Sequence, residues 1–231
     1  MLARRMPFVC LASTMRTFGT KMPDYLDSVV VHQNFITAEE TQQLIECSAK
    51  LVDEGLLCYD RYQYKPSPGE DIQALLAKRG HIRIDRVDIF SRFAILDTVS
   101  NRIKQTLNLD QFKYYLIDHT LGWMIHIMQP SGSIQRHTDS YATALKLNWH
   151  VPKIYASLRH IRFNIMVSRD SDQSYNPHFI LGNKELYKYV DVGDAWCFPA
   201  DTITHFVPNL QGSKQRLIYQ FGFAVDTTPR A

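Results

Sequence analysis

The segment Gln135-Arg136-His137-Thr138-Asp139-Ser140 places an imidazole and a carboxylate two residues apart. On an extended strand, residues with this spacing leave the same face. His137 and Asp139 can therefore hold one metal ion together. The turn sequence Pro130-Ser131-Gly132 comes shortly before them and allows a new strand to begin there. Two protein ligands are too few for a stable site, so a third ligand is expected elsewhere in the chain.

His205, in Thr-Ile-Thr-His-Phe-Val-Pro, is the candidate for that third ligand. Two histidines and one carboxylate on one face of an octahedron leave three positions open, which is the ligand set of non-heme Fe(II) oxygenases. Arg216 follows eleven residues later and opens a predicted strand. An inward-facing arginine costs several kcal/mol unless its charge is paired. A bound dicarboxylate would pair with it through the guanidinium fork.

Two other strands carry polar residues on one face. In Arg159 to Val167, period-two alternation puts Arg162 and Asn164 on the face opposite the apolar residues, which predicts a lined cavity. His126 lies in a nearly all-apolar strand. Two interpretations of His126 stay open, namely a core histidine with one hydrogen bond and a contact to a cosubstrate.

The remaining pattern predicts an α+β domain with helices first and strands second. Thr37 and Glu40 form a capping box for a helix that reaches about Val52. A half-buried strand is expected at His81 to Phe90, and a second helix at Asp97 to Leu107. Many short strands follow, typical of a β-sandwich or jelly roll; they are expected at residues 113–117, 122–128, 159–167, 178–181, 186–190, 195–198 and 216–224.

With these motifs in order, the segment from Met124 to Phe223 resembles the double-stranded β-helix core of the Fe(II)/2-oxoglutarate-dependent oxygenase superfamily. Its layout is similar to the aspartyl/asparaginyl β-hydroxylase and proline hydroxylase-like group, which often has Arg-x-His where this chain has Arg162-Phe163-Asn164. The resemblance implies a jelly-roll, cupin-like fold with supporting N-terminal helices. It places a single domain at 24–231, with a β-helix core at about 112–225.

The resemblance also implies the chemistry. His137, Asp139 and His205 would form the catalytic metal site and bind Fe(II). Arg216 would bind the cosubstrate 2-oxoglutarate, with hydrogen bonds from Asn164 or His126, and O2 would be the second cosubstrate. In the same way, Arg162 would anchor a substrate carboxylate. Halogenating relatives lack the carboxylate ligand, so its presence favours hydroxylation of a C–H bond in an amino acid, a peptidyl residue or a related small acid.

Three alternatives fit the same ligands. An AlkB-like nucleic-acid demethylase shares them, but such enzymes usually carry a second arginine shortly after the first, and Leu217 to Ala224 contains none. The net charge of +3 does not by itself indicate nucleic acid. A cupin-like protein that binds metal without turnover and a zinc hydrolase are the other two. We therefore expect a small-molecule or peptidyl substrate, and nothing in the sequence indicates an oligomeric state.

The first 23 residues differ from the rest of the chain. They contain basic and hydroxyl residues and no acidic residue before Asp24, which is typical of a mitochondrial targeting segment or of a flexible extension. Four scattered cysteines indicate reduced thiols in an intracellular protein. No apolar run approaches the roughly 20 residues that span a bilayer. The expected location is therefore cytoplasmic or mitochondrial.

Overall fold

The structure is a computed structural model, and the residues that it describes are 23–59, 79–84, 87–118, 121–147 and 151–228. The sequence also predicts a Tyr- and Pro-rich loop from Tyr59 to Gly69 and a short helix from Asp71 to Lys78. Residues 60–78, and residues 1–22 of the N-terminal segment, lie outside the described residues.

Within the described residues, four α-helices and twelve strands form the domain. The helices are α1 (Ala38–Asp53), α2 (Val87–Arg92), α3 (Ala94–Thr106) and α4 (Tyr141–Lys146). The strands are β1 (Val30–His32), β2 (Cys58–Tyr59), β3 (Arg79–Arg83), β4 (Tyr115–Ile117), β5 (Met124–Met128), β6 (Ile134–His137), β7 (Arg159–Ser168), β8 (His178–Leu181), β9 (Lys184–Tyr187), β10 (Ala195–Pro199), β11 (Thr204–Val207) and β12 (Arg216–Val225).

The strands form two antiparallel sheets. The larger sheet has the order β1-β10-β7-β12-β5-β3-β2, and β4 also pairs with β12. The smaller sheet has the order β6-β11-β8-β9. Strands that are distant in the sequence are therefore neighbours in both sheets. This arrangement of helices and two antiparallel sheets confirms the α+β, double-stranded β-helix fold expected from the sequence.

Helix α1 begins where the capping box predicts. The N–H of Glu40 donates to Thr37 Oγ1 at 3.1 Å, and the N–H of Thr37 donates to Glu40 Oε2 at 2.9 Å. A cap of this kind stabilises a helix by about 1 kcal/mol. Arg102 of α3 also binds Glu40 through both terminal nitrogens and donates to the carbonyl of Phe35. The start of α1 is thus tied to α3.

Strands β7 and β12 separate two kinds of interior. On one face, their apolar residues pack against α1 and α3 in the main core; these residues are Ile161, Phe163, Ile165, Val167, Leu217, Tyr219, Phe221 and Phe223. On the other face, Met166 and Ile218 pack against Phe179 of the smaller sheet and Phe198 of β10. This second cluster holds the two sheets together beside the pocket described below.

Two sequence predictions are wrong. Residues 87–90 were expected to continue a strand, but Val87–Arg92 is the helix α2, with Ile89 buried in the main core. A segment of six residues is too short for its periodicity to separate a strand from a helix. The strand expected at 186–190 is instead Lys184–Tyr187, paired as a hairpin with β8 across the turn at Gly182.

Two glycines let the loop before β5 touch β12 directly. A Cβ atom added to Gly122 would lie 2.5 Å from the Cα of Gly222, and one added to Gly222 would lie 2.4 Å from the Cα of Gly122. Each position therefore requires glycine, because no side chain fits between the two backbones. Among the described residues, no helix combines the length and the apolar character that crossing a membrane requires.

Candidate metal centre

The three predicted ligands meet at the edge of the smaller sheet that β6 forms. His137 is the last residue of β6, and its Cα partner on the neighbouring strand β11 is His205. Their rings lie side by side, with centroids 4.3 Å apart. Asp139 lies two residues beyond the end of β6 and is buried. One ligand atom from each of the three residues lies within 4.8 Å of the others.

Backbone contacts orient both imidazoles. His137 Nδ1 lies 2.7 Å from the carbonyl oxygen of Gln135, and His205 Nδ1 lies 3.0 Å from that of Ile203. A carbonyl oxygen only accepts hydrogen bonds, so each Nδ1 is the protonated nitrogen. Each Nε2 then carries a lone pair. Backbone support of this kind is usual behind metal-binding histidines.

The lone pairs converge on the carboxylate. Asp139 Oδ1 lies 3.6 Å from His137 Nε2, and Asp139 Oδ2 lies 3.2 Å from His205 Nε2. Neighbouring ligand atoms around an octahedral ion with bonds of about 2.1 Å are about 3 Å apart. Acceptor atoms this close repel one another unless a cation, either a metal ion or a guanidinium, lies against them. The donor set and its spacing therefore fit one divalent metal ion.

The charge states also suit metal binding at neutral pH. Burial lowers the pKa of His137 to about 4, although the charge of Asp139 opposes this shift, so the imidazole is neutral at pH 7. Burial alone would raise the pKa of Asp139. The Arg162 guanidinium and the two imidazoles outweigh burial and hold that pKa well below its usual range. The site therefore offers a carboxylate and a neutral imidazole without losing a proton.

Arg162 lies against the same ligands rather than apart from them. Its Nη2 forms an ion pair with Asp139 Oδ2, and its Nη1 donates to His205 Nε2 at 3.1 Å. Nη2 also donates to the carbonyl of Leu121 at 3.4 Å. A metal ion would use the same atoms of Asp139 and His205, so binding it requires the guanidinium to release them. The sequence did not foresee this contact.

A pocket opens between the two sheets beside these ligands. Strands from both sheets supply its wall, which combines aromatic and aliphatic side chains with a few polar groups. Its lining residues are His126, Ile134, His137, Arg162, Asn164, Pro177, Phe179, Trp196, Phe198, His205, Phe206, Val207, Arg216, Ile218 and Gln220. A concave, mostly apolar pocket with converging polar groups is the usual form of a small-molecule site.

Arg216 lines the same pocket and is 1% exposed. Its Nε donates to the carbonyl of Tyr175 at 2.9 Å. Among the described residues, no acidic side chain forms an ion pair with it. Burial, followed by the positive charge of Arg169, lowers the pKa of Arg216 to about 9, so it remains a cation at neutral pH. A buried cation that faces a pocket and has no counter-charge in the described part of the chain fits an anionic ligand.

Arg169 strengthens this positive end without facing a ligand itself. Its guanidinium donates to the carbonyls of Asp170 and Asp172, to Asn176 Oδ1 and to the carbonyl of Val190. These bonds use its hydrogen-bonding capacity in the loops behind the pocket. Its charge therefore adds to the potential that an anion near Arg216 experiences.

Three further polar residues line the pocket. His126 and Asn164 are buried there. Asn164 Oδ1 is buried and has no hydrogen-bond partner among the described residues. Gln220 also lines the pocket, and its Nε2 donates to the carbonyl of Leu121 at 2.9 Å. Sequence reasoning missed Gln220, although period-two alternation puts it on the same face of β12 as Arg216 and could have identified it.

No protein-family model matches the chain, and no curated protein matches its sequence. Solved structures do match its fold. A Pseudomonas putida prolyl-4-hydroxylase aligns with a TM-score of 0.51 and 14% identity, over 86% of this chain and 92% of that one. A Trichoplax adhaerens prolyl hydroxylase, solved in complex with a hypoxia inducible factor peptide fragment, aligns with a TM-score of 0.55 and 12% identity, over 86% and 84%.

A third similar structure is the non-heme alpha ketoglutarate dependent epimerase SnoN from nogalamycin biosynthesis. It aligns with a TM-score of 0.58 and 11% identity, over 85% of this chain and 77% of that one. At these identities, the similarities show the fold alone. They agree with the two-sheet architecture and with the fold that the resemblance implied.

Proposed function

We propose that this protein is an Fe(II)- and 2-oxoglutarate-dependent dioxygenase that hydroxylates a C–H bond of an amino acid, a peptidyl residue or a related small acid. One observation carries the proposal: a ligand set of two histidines and one aspartate faces the same pocket as Arg216, which is buried and lacks an acidic partner in the described part of the chain. The two histidines and the aspartate indicate Fe(II), and the buried guanidinium of Arg216 indicates an anionic cosubstrate.

His137, Asp139 and His205 would hold the metal ion. Arg216 would pair with the carboxylate of 2-oxoglutarate that is more distant from the metal ion. When bound, Fe(II) and 2-oxoglutarate would supply the electrons that activate O2 for attack on a C–H bond. The chain itself supplies binding, orientation and exclusion of water. Asn164 and Gln220 present buried amides to the pocket, and these amides can orient the cosubstrate or the substrate.

The charges of the pocket favour an anionic substrate. Its described wall and metal ligands contribute two cations, Arg162 and Arg216, and one anion, Asp139. A divalent ion and a doubly negative cosubstrate cancel each other, so one positive charge remains. Release of Arg162 from Asp139 on metal binding would make this guanidinium the anchor for a substrate carboxylate. The prolyl hydroxylases of similar fold make free proline, other amino acids and proline-containing peptides the first substrates to test.

The test is succinate formation by the purified protein with Fe(II), 2-oxoglutarate and O2. The substrate panel holds free amino acids, proline-containing peptides and methylated single-stranded nucleic acids. We expect succinate release that needs Fe(II) and 2-oxoglutarate and rises with an amino acid or peptide, together with a product heavier by one oxygen atom. A product of unchanged mass but inverted stereochemistry would instead indicate an epimerase, the activity named for SnoN.

The other outcomes separate the alternatives. Stimulation by methylated nucleic acid, with steep salt dependence, would indicate an AlkB-like demethylase. Hydrolysis that needs neither O2 nor 2-oxoglutarate would indicate a zinc hydrolase. Tight metal binding without succinate formation would indicate a cupin-like binding protein. Arg159→Met is a control for the replacement of a pocket arginine by methionine, because Arg159 binds Asp201 outside the pocket. It should form succinate at the wild-type rate.

A further inference from the structure

A second polar cluster lies directly behind the metal ligands, and the function proposed above does not use it. Asp118 and His160 are each 0% exposed, and Tyr141 is 2% exposed. The hydroxyl of Tyr141 donates to Asp118 Oδ2 at 3.0 Å, and its ring stacks on the imidazole of His160 at a centroid distance of 4.8 Å. Full burial of such a group is costly, and apolar residues of similar volume are often as stable or more stable. The cluster therefore suggests a role beyond stability.

The two nitrogens of His160 contact different partners. Nδ1 lies 3.0 Å from the backbone carbonyl oxygen of Asp139, and Nε2 lies 3.3 Å from Asp118 Oδ2. Because a carbonyl oxygen only accepts hydrogen bonds, Nδ1 carries a proton and donates a hydrogen bond to the backbone carbonyl of Asp139. The stacked Tyr141 ring fixes the plane of the imidazole, and Asp118 holds that ring in place by accepting the hydrogen bond of its hydroxyl.

The backbone of Asp139 depends on this contact. Asp139 lies beyond the end of β6, so no strand partner holds it. Its N–H donates to the carbonyl of Ala200 at 2.7 Å, and its own carbonyl accepts from His160. The N–H of Ala200 in turn donates to the carbonyl of His160 at 2.8 Å. Two hydrogen bonds, both connected to His160, thus set the direction in which the Asp139 carboxylate leaves the backbone.

We propose that His160 is a positioning residue that aims the Asp139 carboxylate at the metal through the Asp139 backbone carbonyl, with Asp118 and Tyr141 holding its ring. This inference rests on the proposed metal site. Groups that orient a metal ligand typically contribute about 10- to 100-fold to metal affinity. The effect should therefore appear in metal binding itself, without substrate or 2-oxoglutarate.

Two variants separate the nitrogens of His160. His160→Asn places an amide N–H near the position of Nδ1 and keeps the contact to Asp139. His160→Gln places its amide near the position of Nε2, keeps a polar contact to Asp118 and loses the one to Asp139. Each variant removes one of the two contacts in the same buried space. A merely structural role would therefore affect both alike.

The experiment titrates chelator-treated protein with Co(II), follows the visible absorption of the bound ion and measures the melting temperature. We expect the Kd of His160→Asn to stay within about 1.5-fold of wild type. At a temperature well below the melting temperature of the variant, we expect the Kd of His160→Gln to rise at least about tenfold. Its Co(II) spectrum should also differ from that of wild type. Equal Kd and spectra for wild type and His160→Gln would overturn the proposal, and so would equal losses in both variants.

The outcome also separates this inference from the proposed function. Wild-type protein that does not bind Co(II) would overturn both. Wild-type protein that binds Co(II) but forms no succinate would overturn only the dioxygenase proposal. If His160→Gln does not fold, Tyr141→Phe serves as the second variant, because it keeps the stacked ring and removes the hydroxyl from Asp118. We expect its Kd for Co(II) to rise about threefold, and an unchanged Kd would contradict the positioning role.

Discussion

The two faces of strands β7 and β12 are equally buried but differ in chemistry. On the helix side, Phe163 and Phe221 are 0% exposed and pack against other apolar residues. On the pocket side, Arg162 is 8% and Arg216 is 1% exposed. The difference teaches that burial alone does not identify the core. The helix face lowers the free energy of the fold by removing apolar area from water. The pocket face holds two guanidinium groups. Arg162 is paired with Asp139, whereas Arg216 has no acidic partner among the described residues, so its burial is costly until an anionic ligand binds.

The largest effect is expected for Asp139→Ala. This change removes a metal ligand and leaves Arg162 buried without its counter-charge. Turnover should be abolished, and the free energy of unfolding should fall by about 3 kcal/mol. Succinate release and chemical denaturation measure the two effects. The double variant Asp139→Ala/Arg162→Met should recover the stability but not the turnover. A double variant as unstable as the single one would show that the ion pair is not the cause.

A change on the helix face should affect the fold and spare the site. Phe163→Ala removes a fully buried ring from the core and should lower the free energy of unfolding by about 3–5 kcal/mol. Co(II) affinity, measured well below the melting temperature, should remain within about twofold of wild type. A large loss of metal affinity in the folded variant would mean that the two faces are not independent.

Arg216→Met, on the pocket face, should affect ligand binding and spare the stability of the fold. The thioether keeps most of the volume and removes a buried charge that has no acidic partner in the described residues, so stability should be unchanged or higher. The Kd for 2-oxoglutarate should rise by about 10- to 100-fold, the loss expected for a charge-assisted bidentate contact. Calorimetry on the Co(II)-loaded protein measures the Kd, with Arg159→Met as the control. An unchanged Kd would remove Arg216 from the cosubstrate site.

The smallest effect is expected for the partly exposed ion pair between Glu40 and Arg102 at the start of α1. Hydrogen bonds from Arg102 hold the pKa of Glu40 below its ordinary value, with the contacts to Thr37 adding to the shift. The ion pair therefore stabilises the fold when the pH is above the ordinary pKa of a glutamate. Its contribution is lost as the pH falls through the lower pKa of the folded state. Glu40→Gln keeps the cap and removes the charge. It should cost less than about 1 kcal/mol at pH 7 and nothing near pH 2. Glu39→Gln, an exposed neighbour, is the control.

The sequence predicted those parts of the molecule that follow from local periodicity. Alternation along β7 and β12 separated the apolar from the polar residues, and the structure places them on opposite faces. The capping box predicted the start of α1 at the correct residue. Short segments were less predictable. Helix α2 has six residues, and α4, which was not expected, also has six. Tertiary contacts decide the conformation of such segments.

The metal ligands were predictable as residue types in a recurring order, but their surroundings were not. The stacking of Tyr141 on His160 and the contact from His160 to Asp139 join residues from separate elements. No local pattern encodes such contacts. The position of Arg162 was equally hidden, because alternation gives the face of a side chain and not its partner. These contacts depend on how β7 lies relative to the end of β6.

The glycine pair at Gly122 and Gly222 limits how this pocket can be redesigned. The loop that carries Gly122 also supplies the Leu121 carbonyl, which accepts from both Arg162 and Gln220. A side chain at either glycine would push the loop and β12 apart and move that carbonyl. This wall therefore has no room for variation. Engineering toward bulkier substrates has to start from the wall that the smaller sheet supplies, where the side chains of Ile134, Phe206 and Val207 line the pocket.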